Sequence, residues 1–541
     1  MDGRPVSGSD GGATDTAGGS TRVLLFVVTF AAGFAITGIE IALGRLLAPH
    51  FGASLTIWAA IIASIIAALS IGYPIGGLLA DRRPGPGLPL LSLLLGGLLG
   101  AGFGVGVPLC LQQAMAGVGL SGPAFWSRLM AVLLLFCLPC VLLAAVPPAV
   151  LRVTLRDRST TGRDAGWLYA LGSLGSVLGI LLPALWWIPA YGLSRTFLLL
   201  GTVAVAPAGA GLVAGIAGKR PRRALLALPL LPALALAPER VWMPADPEAK
   251  VIYDRDSGLQ RIRVTALDSA KERRRWLQLN EGWSVHSWLI EPLYATGEVW
   301  DWMALTALLP EPDDARTDVL VIGLAGGTVS NLITRLLRPL LPGLTITGVE
   351  LDPEVLEVAD RYLDLDRSCL ETHAADGRVW LRASRRQFDL IILDAYHQPS
   401  IPAHLATVEF FGDVRAHLTP GGMAVLNAFA PAGRSRVLDG ISTTWEAVFP
   451  RAQILAGPEA DGFASHLLFG GPAVPLQFGR DRAGQLPEQL RAGWELLSNQ
   501  VADLVPEPGV RPWTDDRAPV ELLTDHAFRR LRPPNPLLTI Q

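Results

Sequence analysis

Six long apolar segments in the first 240 residues constrain the fold of this chain more than any other feature of its sequence. A helix needs about 20 mainly apolar residues to cross the hydrocarbon core of a bilayer. The six segments are 23–43, 55–80, 88–111, 129–151, 167–188 and 197–217. They predict a multi-pass α-helical membrane domain over residues 23–240. Residues 1–22, which are rich in Gly, Ser, Asp and Thr, are predicted to form a disordered tail.

The basic residues of the connecting loops predict how this domain is oriented. Arginine and lysine cluster at 81–83, 152–163 and 219–223, whereas the intervening loops hold single arginines, namely Arg45, Arg128 and Arg195. The positive-inside rule therefore predicts a multi-pass protein of the cell membrane with its N-terminus in the cytoplasm.

A seventh apolar segment, 224–238, decides on which side the rest of the chain lies. It is short and contains Pro229 and Pro232. If it spans the membrane, the C-terminal domain is external, and if it lies in the interface, that domain is cytoplasmic. Its length favours the interfacial position, so a cytoplasmic C-terminal domain is predicted.

Polar and small residues within the predicted spans leave two alternatives open. Glu40 is either a functional carboxylate inside the membrane or the partner of Arg45 in a pair that holds helices together near the interface. The small residues of 172–179 form a face that is better suited to helix packing than to a transport path.

The residues after 240 are predicted to form two soluble domains. Although the first 240 residues are basic, the whole chain has a net charge of -3, so the remainder is acidic. This balance argues against a nucleic-acid partner and suits a cationic substrate. Short strands over 251–279 predict a small β subdomain at 241–310. From residue 318 strands alternate with helices, which predicts an α/β domain at 311–541 with a parallel sheet.

The segment 318–352 predicts a nucleoside-binding unit. An apolar strand leads into a glycine-rich turn, Gly323-Leu324-Ala325-Gly326-Gly327, at the start of a helix, and a second strand ends at Glu350. Glycine lets the backbone approach a ligand closely, and a carboxylate at the next strand tip can accept both hydroxyls of a ribose. Gly323, Ala325, Gly327 and Glu350 are therefore candidate binding residues.

Two further strand tips carry polar residues. Asp376-Gly377 follows a short strand and could contact the exocyclic amine of adenine, and 394–397 follows another strand. Ligands of open α/β sheets bind at the carboxyl ends of the strands, so these groups are expected to converge. The alternative is that Glu350 and Asp376 only cap helices. His373, His404 and His417 show no metal-ligand spacing, so no metal is expected.

From about 251 to 429 the chain resembles the spermidine synthase family of polyamine aminopropyltransferases. The family's GGGDGG turn corresponds to GLAGGT at 323–328, its ribose-binding Glu to Glu350, its Asp-Gly to Asp376-Gly377, and its early cofactor-contacting Gln to Gln260. The segment 38–54 also resembles the membrane-fused members of the family, in which several helices precede the synthase-like domain. The resemblance implies a Rossmann-like, methyltransferase-type α/β domain with a small N-terminal β-sheet.

The resemblance also implies an activity in polyamine biosynthesis. An aminopropyl group of decarboxylated S-adenosylmethionine would pass to a small-molecule amine, with release of methylthioadenosine and without a metal. Asp394 would orient the amine or the donor, and His397 would be the catalytic base in place of the family's second acid. Gly326 stands where the family has an acid that helps to hold amines. Homo-oligomerisation is left open.

The two departures from the family pattern, at Gly326 and His397, keep other functions open. One is an S-adenosylmethionine-dependent methyltransferase, and the other is a membrane transporter or sensor that binds a nucleoside or polyamine without turnover. Acids elsewhere could compensate for the missing charges. Asp515 and Asp516 precede an apolar turn, and Glu281 and His286 lie ahead of the core sheet, although turn capping and a solvated loop are the favoured explanations.

Overall fold

The computed structural model describes residues 14–51, 55–115, 123–154, 161–216, 248–257, 259–269, 271–280, 284–310, 316–396, 400–433, 435–459, 462–476, 478, 480–520 and 522–524. The chain forms two compact units. One lies within residues 1–240, and the other contains Val241–Gln541.

The described residues of the first unit form helices joined by short turns. Its helices are α1 (Thr14–Phe51), α2 (Leu55–Arg82), α3 (Gly87–Met115), α4 (Pro123–Ala144), α5 (Val146–Thr154), α6 (Thr161–Leu182), α7 (Ile188–Tyr191) and α8 (Leu193–Val213), with a π-helical turn, Pro183–Trp187, between α6 and α7. Six stretches of these helices are long and apolar enough to cross a membrane. They overlap the six predicted spans. The segment 224–238 lies outside the described residues.

Helix α1 begins at Thr14, so the prediction of a disordered tail over 1–22 is wrong for residues 14–22. Once a long apolar helix has nucleated, adding residues to its end costs little compared with nucleation. Arg22 also pairs with the buried Asp164 of α6, which anchors the start of α1. Residues 1–13 lie outside the described residues.

Small residues bring α1 and α6 into close contact. A Cβ atom on Gly175 would lie 2.2 Å from the backbone oxygen of Phe30, and one on Gly179 would lie 2.3 Å from that of Phe34. Thr37 Oγ1 donates a hydrogen bond of 2.8 Å to the backbone oxygen of Ser176. Glycine permits this approach of two backbones, so the predicted packing role of residues 172–179 is confirmed.

The second unit begins with a four-stranded antiparallel sheet in the order β1-β2-β3-β4. Its strands are β1 (Lys250–Asp256), β2 (Arg261–Asp268), β3 (Arg273–Leu279) and β4 (Val285–Glu291). Leu277 of β3 pairs with Ser287 of β4, whereas the next residue, Gln278, pairs with Val285. His286 is therefore an extra residue, a β-bulge in β4.

An eight-stranded sheet forms the centre of this unit, in the order β12-β10-β11-β9-β8-β5-β6-β7. Its strands are β5 (Asp318–Ile322), β6 (Thr345–Glu350), β7 (Leu370–Ala374), β8 (Phe388–Leu393), β9 (Leu418–Pro431), β10 (Gln453–Ala456), β11 (Phe463–Gly470) and β12 (Ala502–Asp503). The five strands from β9 to β7 are parallel, and β10 to β12 pair antiparallel. This is a Rossmann-like α/β sheet.

Helices cover both faces of this sheet. They are α9 (Val299–Leu305), α10 (Thr328–Leu332), α11 (Pro353–Tyr362), α12 (Gly377–Ala383), α13 (Val408–Ala416), α14 (Arg436–Val448) and α15 (Glu488–Gln500). One apolar cluster joins α9, α10 and α15 to one face, and a second joins α13 and α14 to the other. The strand order reverses direction between β5 and β8, and ligands of such sheets bind at the carboxyl ends near this point.

Candidate functional site

The glycine-rich turn lies at the switch point between β5 and β8. Gly323 and Gly327 have positive φ angles of 87° and 81°, and Ala325 also has a positive φ of 48°. A Cβ atom on Gly323 would lie 2.5 Å from the backbone oxygen of Asp394. The turn therefore passes against the tip of β8, and glycine at 323 is required by both the backbone angle and this contact.

Glu350 lies at the tip of β6 against the same turn. Its Oε2 accepts a hydrogen bond of 2.9 Å from the backbone N–H of Ala325, and its Oε1 accepts one of 3.2 Å from that of Asp352. The side chain is buried, and this burial raises the pKa of Glu350 although the two N–H groups oppose the shift. Neither of these two N–H groups belongs to the first turn of a helix, and Glu350 keeps lone pairs that a pair of hydroxyls could use.

Gln260 belongs to a turn that is held against the tip of β6. Ser257 Oγ donates a hydrogen bond of 2.5 Å to Asp352 Oδ2 and accepts one of 3.1 Å from the backbone N–H of Gln260. Asp352 in turn accepts a hydrogen bond from the backbone N–H of Glu354 and so caps α11. These contacts bring Gln260 next to the strand tip that carries Glu350, and its contact with a cofactor stays a prediction.

Asp376 caps a helix and keeps one oxygen for another partner. Its Oδ1 accepts hydrogen bonds of 3.0 Å from the backbone N–H groups of Arg378 and Val379, the first turn of α12. Its Oδ2 lies 2.9 Å from His404 Nε2. Burial alone would raise the pKa of Asp376, but the Val379 N–H and the His404 side chain outweigh it and lower the pKa. The capping alternative therefore holds for Asp376, without excluding contact with a ligand.

Exposed apolar side chains neighbour each of these polar residues. Leu259 precedes Gln260, Leu351 follows Glu350, and Val379 follows Asp376 in the first turn of α12. They are 50%, 53% and 66% exposed. Large apolar side chains beside polar groups at a sheet edge are typical of ligand pockets.

Asp394 follows β8 and is held by two donors from other elements. Asn427 Nδ2 of β9 donates a hydrogen bond of 2.8 Å to Asp394 Oδ1. The Trp300 indole of α9 donates a second hydrogen bond to the same carboxyl group. Asp394 as a whole is half-buried, but its carboxyl group is surrounded by protein atoms. This burial raises the pKa of Asp394 to about 7, although both donors oppose the shift. Such a group can gain or lose a proton near neutral pH.

Tyr396 fixes the backbone around this carboxylate. Its hydroxyl donates a hydrogen bond of 2.7 Å to the backbone oxygen of Asn427 and accepts one of 2.7 Å from the backbone N–H of Phe429. Burial raises the pKa of the Tyr396 hydroxyl, so it remains protonated. His397, the predicted base, lies outside the described residues, and its role stays a prediction.

The predicted compensating acids differ in their surroundings. Arg378 Nη1 and Nη2 donate hydrogen bonds of 2.6 and 2.7 Å to the two oxygens of Asp515, and Thr407 Oγ1 donates a third of 2.8 Å. Asp515 therefore ties the C-terminal segment to α12, and Asp516 is exposed. Glu281 lies outside the described residues.

Sequence reasoning missed Trp300 and Asn427. Asn427 could have been found, because it is a polar residue inside the apolar strand sequence MAVLNAF. Trp300 gives no such signal, since a tryptophan in an apolar helix predicts core packing. Within the part of the chain that the structure describes, no group of three His, Cys, Asp or Glu residues could hold a metal ion, and the predicted absence of a metal stays a prediction.

Part of this chain is similar to known proteins. Residues 306–457 match the family model described as the spermine/spermidine synthase domain. A probable polyamine aminopropyl transferase of Bifidobacterium longum is 29% identical over 300 residues, which cover 52% of this chain and 64% of that protein. A polyamine aminopropyltransferase of Vibrio vulnificus is 32% identical over 164 residues, which cover 30% of this chain and 52% of that protein. The chain thus spans less than two thirds of the length of both relatives.

Among solved structures, a probable spermidine synthase from Corynebacterium glutamicum is 19% identical with a TM-score of 0.38. The match covers 50% of this chain and 97% of that one.

Proposed function

We propose that this chain, whose residues 306–457 match the family model of the spermine/spermidine synthase domain, is a membrane-anchored aminopropyltransferase. It would transfer the aminopropyl group of decarboxylated S-adenosylmethionine to an amine and release methylthioadenosine. The observation that carries the proposal is the position of Asp394. This carboxylate has a pKa of about 7, is held by two donors, and adjoins the glycine turn inside the matched domain.

The described residues fit the adenosine part of the donor. Glu350 offers acceptors for ribose hydroxyls at the turn, and Asp376 offers one oxygen at the next strand tip. The exposed side chains of Leu351 and Val379 provide apolar surface for a base. Gln260 lies on the turn that packs against the same edge. The amine tail and propyl group would then extend toward Asp394, beyond Gly323.

The proposed reaction needs an amine with a free lone pair. The amine nitrogen attacks the propyl carbon bonded to the sulfonium, a C–N bond forms, the C–S bond breaks with its electron pair moving to sulfur, and one proton leaves the amine. Asp394, when ionised, accepts that proton or holds the amine so that another base accepts it. Asn427 and Trp300 hold the carboxylate in place, so orientation is achieved before the substrate binds. His397 remains a candidate for the base.

Support for a membrane anchor comes from the exposed face of α6 and the turns that follow it. Trp167 near the start of α6 and Trp186 in the π-helical turn after it are 60% and 55% exposed, and Leu174, Val177 and Leu181 between them are also exposed. At about 1.5 Å per residue the two tryptophans are separated by about 28 Å along the helix. The hydrocarbon core of a bilayer is about 30 Å thick, and tryptophan is enriched at its two boundaries. This spacing suits a helix that faces lipid.

A C-terminal domain in the cytoplasm is part of the proposal, because the donor is a cytosolic nucleoside. Two ion pairs join helix ends within the first unit: Arg22 pairs with Asp164, and Arg152 Nε lies 2.8 Å from Asp81 Oδ1. The charges of the loops predict that these helix ends lie on the cytoplasmic side. A reporter enzyme fused after the last residue tests the sidedness. A signal from outside the cell would contradict both the cytoplasmic domain and the use of a cytosolic donor.

Methyl transfer is the second candidate, because Gly326 carries no acid for the donor's amine. Thermal shift of the full-length protein in detergent with methylthioadenosine, decarboxylated S-adenosylmethionine and S-adenosylmethionine separates the two reactions. Aminopropyl transfer predicts a preference for the decarboxylated donor and release of methylthioadenosine with at least one amine of a panel. A preference for S-adenosylmethionine would support methyl transfer. Binding without any product would favour a sensor.

A further inference from the structure

His404 is held at two points by residues that lie where α12 begins. It belongs to the 3₁₀ turn Ala403–Leu405, which follows the loop after β8. The Arg378 guanidinium donates a hydrogen bond of 2.9 Å to the backbone oxygen of His404. Asp376 Oδ2 lies 2.9 Å from Nε2 of the same residue. The main chain and the imidazole of His404 are therefore both fixed against the start of α12.

An ion pair holds the two elements that carry His404 and Asp376. Arg378 Nη1 and Nη2 also donate hydrogen bonds to the two oxygens of Asp515, and the Arg378 side chain is only 7% exposed. Thr407, three residues after His404, donates a hydrogen bond of 2.8 Å to the same carboxylate. The segment with His404 and the helix capped by Asp376 are thus tied to one carboxylate, so their separation is set before a ligand binds.

The carboxylate of Asp376 defines which ring nitrogen of His404 carries a proton. A carboxylate can only accept hydrogen bonds, and that of Asp376 is ionised because the Val379 N–H and the His404 side chain outweigh burial and lower its pKa. Nε2 of His404 is therefore the protonated nitrogen and donates to Oδ2. Among the described residues the ring has no second hydrogen-bond partner, and the side chain is 48% exposed.

These contacts leave one acceptor position on Asp376. A carboxylate has about four lone-pair positions, two on each oxygen. Oδ1 accepts from the backbone N–H groups of Arg378 and Val379, so both of its positions are used. Oδ2 accepts one hydrogen bond from His404, so one position remains. Because the Nε2–H of His404 is already used, the pair offers an incoming base an acceptor and no donor at this point.

We infer that His404 is a positioning residue that makes the nucleobase site specific for a base with an exocyclic amine, because it fixes Asp376 Oδ2 as an acceptor with one free position. An amine can donate to this position, whereas a carbonyl oxygen in the same place would bring two acceptors together. This inference rests on the proposed function, since it requires that the base of an adenosine ligand reaches Asp376. His404 acts through Asp376 and touches no reacting atom.

Two nucleosides that differ in one group test the inference. Methylthioadenosine has an exocyclic amine where methylthioinosine has a carbonyl oxygen. Calorimetry on the full-length protein in detergent would give the Kd of both nucleosides for the wild type, H404L and H404Q. Hydrogen bonds to charged groups are among the stronger ones in proteins, so the wild type should prefer methylthioadenosine by about tenfold or more. H404L should lower this preference by at least about threefold, whereas H404Q, which keeps a side-chain N–H donor, should retain it.

A second substitution shows whether His404 acts through Asp376. D376N can still cap α12 but lacks the charged acceptor. It should lose most of the preference for methylthioadenosine, and adding H404L to D376N should change the ratio of the two affinities by less than about twofold. A further threefold effect of H404L in the D376N protein would show that His404 acts independently of Asp376, and it would overturn the inference.

His373 provides a control histidine that is also paired with a carboxylate. Its Nε2 lies 3.2 Å from Glu371 Oε1, and its ring packs against Trp380. H373Q should leave the ratio of the two affinities unchanged. Equal weakening of both nucleosides by H404L, or equal binding of both by the wild type, would overturn the inference while leaving the proposed function standing. If the wild type bound neither nucleoside, the proposed function would fail together with the inference.

Discussion

Asn427 Nδ2 lies 2.8 Å from Asp394 Oδ1, so an amide on one strand holds the carboxyl group at the tip of its neighbour. The Trp300 indole completes this arrangement from helix α9. The two donors stabilise the charged form of Asp394, while burial favours the neutral form, and the balance leaves its pKa near 7. A carboxylate poised in this way is suited to proton transfer at neutral pH.

Replacing Asp394 by asparagine should abolish most of the activity while donor binding persists. The amide keeps the shape of the side chain but cannot accept a proton from an amine. General base catalysis contributes about 10²- to 10⁴-fold, so release of methylthioadenosine by D394N should fall by at least about a hundredfold. The Kd for methylthioadenosine should change little. D360N, at an exposed pair with Arg367, is the control and should keep full activity. Activity of D394N close to that of the wild type would remove Asp394 from the mechanism.

The pKa of Asp394 also predicts opposite effects of pH on activity and on stability. Activity should rise as pH increases through about 7, because the ionised form is the one that accepts a proton. The folded-state pKa is raised above the unfolded value, so stability should fall as pH rises between about 4 and about 7, where only the unfolded chain releases this proton. D394N should lose that part of the pH dependence. Urea midpoints of both proteins, measured between pH 4 and 8, would show whether the difference between them changes in this window.

Replacing Trp300 by phenylalanine removes one donor and keeps an aromatic ring. Because the indole N–H lowers the pKa of Asp394, W300F should raise that pKa and move the acidic limb of the kcat profile to higher pH by about one unit. The maximal rate at high pH should be affected less than the rate at pH 6. W302F, in the same helix but in the core cluster, is the matched control. A uniform loss of rate at all pH values would show that Trp300 acts only through packing.

Much of the site could be predicted from the sequence because its parts are local. The turn at 323–327, the carboxylates after β6 and β8, and the Asp-Gly pair before α12 each follow from a strand and the residues just beyond it. The carboxyl ends of neighbouring parallel strands lie at one edge, so Glu350, Asp376 and Asp394 are placed at the same edge of the sheet. The alternation of strands and helices from residue 318 predicts the α/β fold, and the short strands over 251–279 predict the small β-sheet.

Contacts between distant segments could not be predicted in this way. Trp300 lies far from Asp394 in the chain, and the space beside Gly326 depends on Ser287 and Leu363, which approach from two other elements. The sequence does not show whether Asp515 is a free acid or is paired. Its pairing with Arg378 depends on where the C-terminal segment lies in the fold. The composition of residues 14–22 does not reveal that α1 already begins at Thr14, because the contact of Arg22 with Asp164 joins two distant segments.

Introducing an acid at 326 should destabilise the protein and should not improve its binding of ligands. An aspartate there would overlap Leu363 and Ser287, and overpacking of a buried site typically costs about 1–3 kcal/mol. G326D should therefore lower the Tm by several degrees and should not increase the affinity for the donor or for diamines. G484D, at a glycine with open space around its Cβ position, is the control. Tighter donor binding by a stable G326D would show that this space is available to an acid.

Replacing Asp515 by asparagine should loosen the C-terminal segment. The paired Arg378 guanidinium, more than the Thr407 hydroxyl, lowers the pKa of Asp515 to about 2. Since the folded-state pKa lies below the unfolded value, this pairing contributes stability above about pH 4 and loses it as pH falls toward 2. D515N should thus have a lower urea midpoint than the wild type at pH 7, with a difference that narrows in acid. Asp515 is partly exposed, so solvent screening keeps the effect modest. D516N changes the exposed neighbouring carboxylate and should have the urea midpoint of the wild type. An equal decrease in both variants would show that the lost charge, and not the pair with Arg378, lowers the stability.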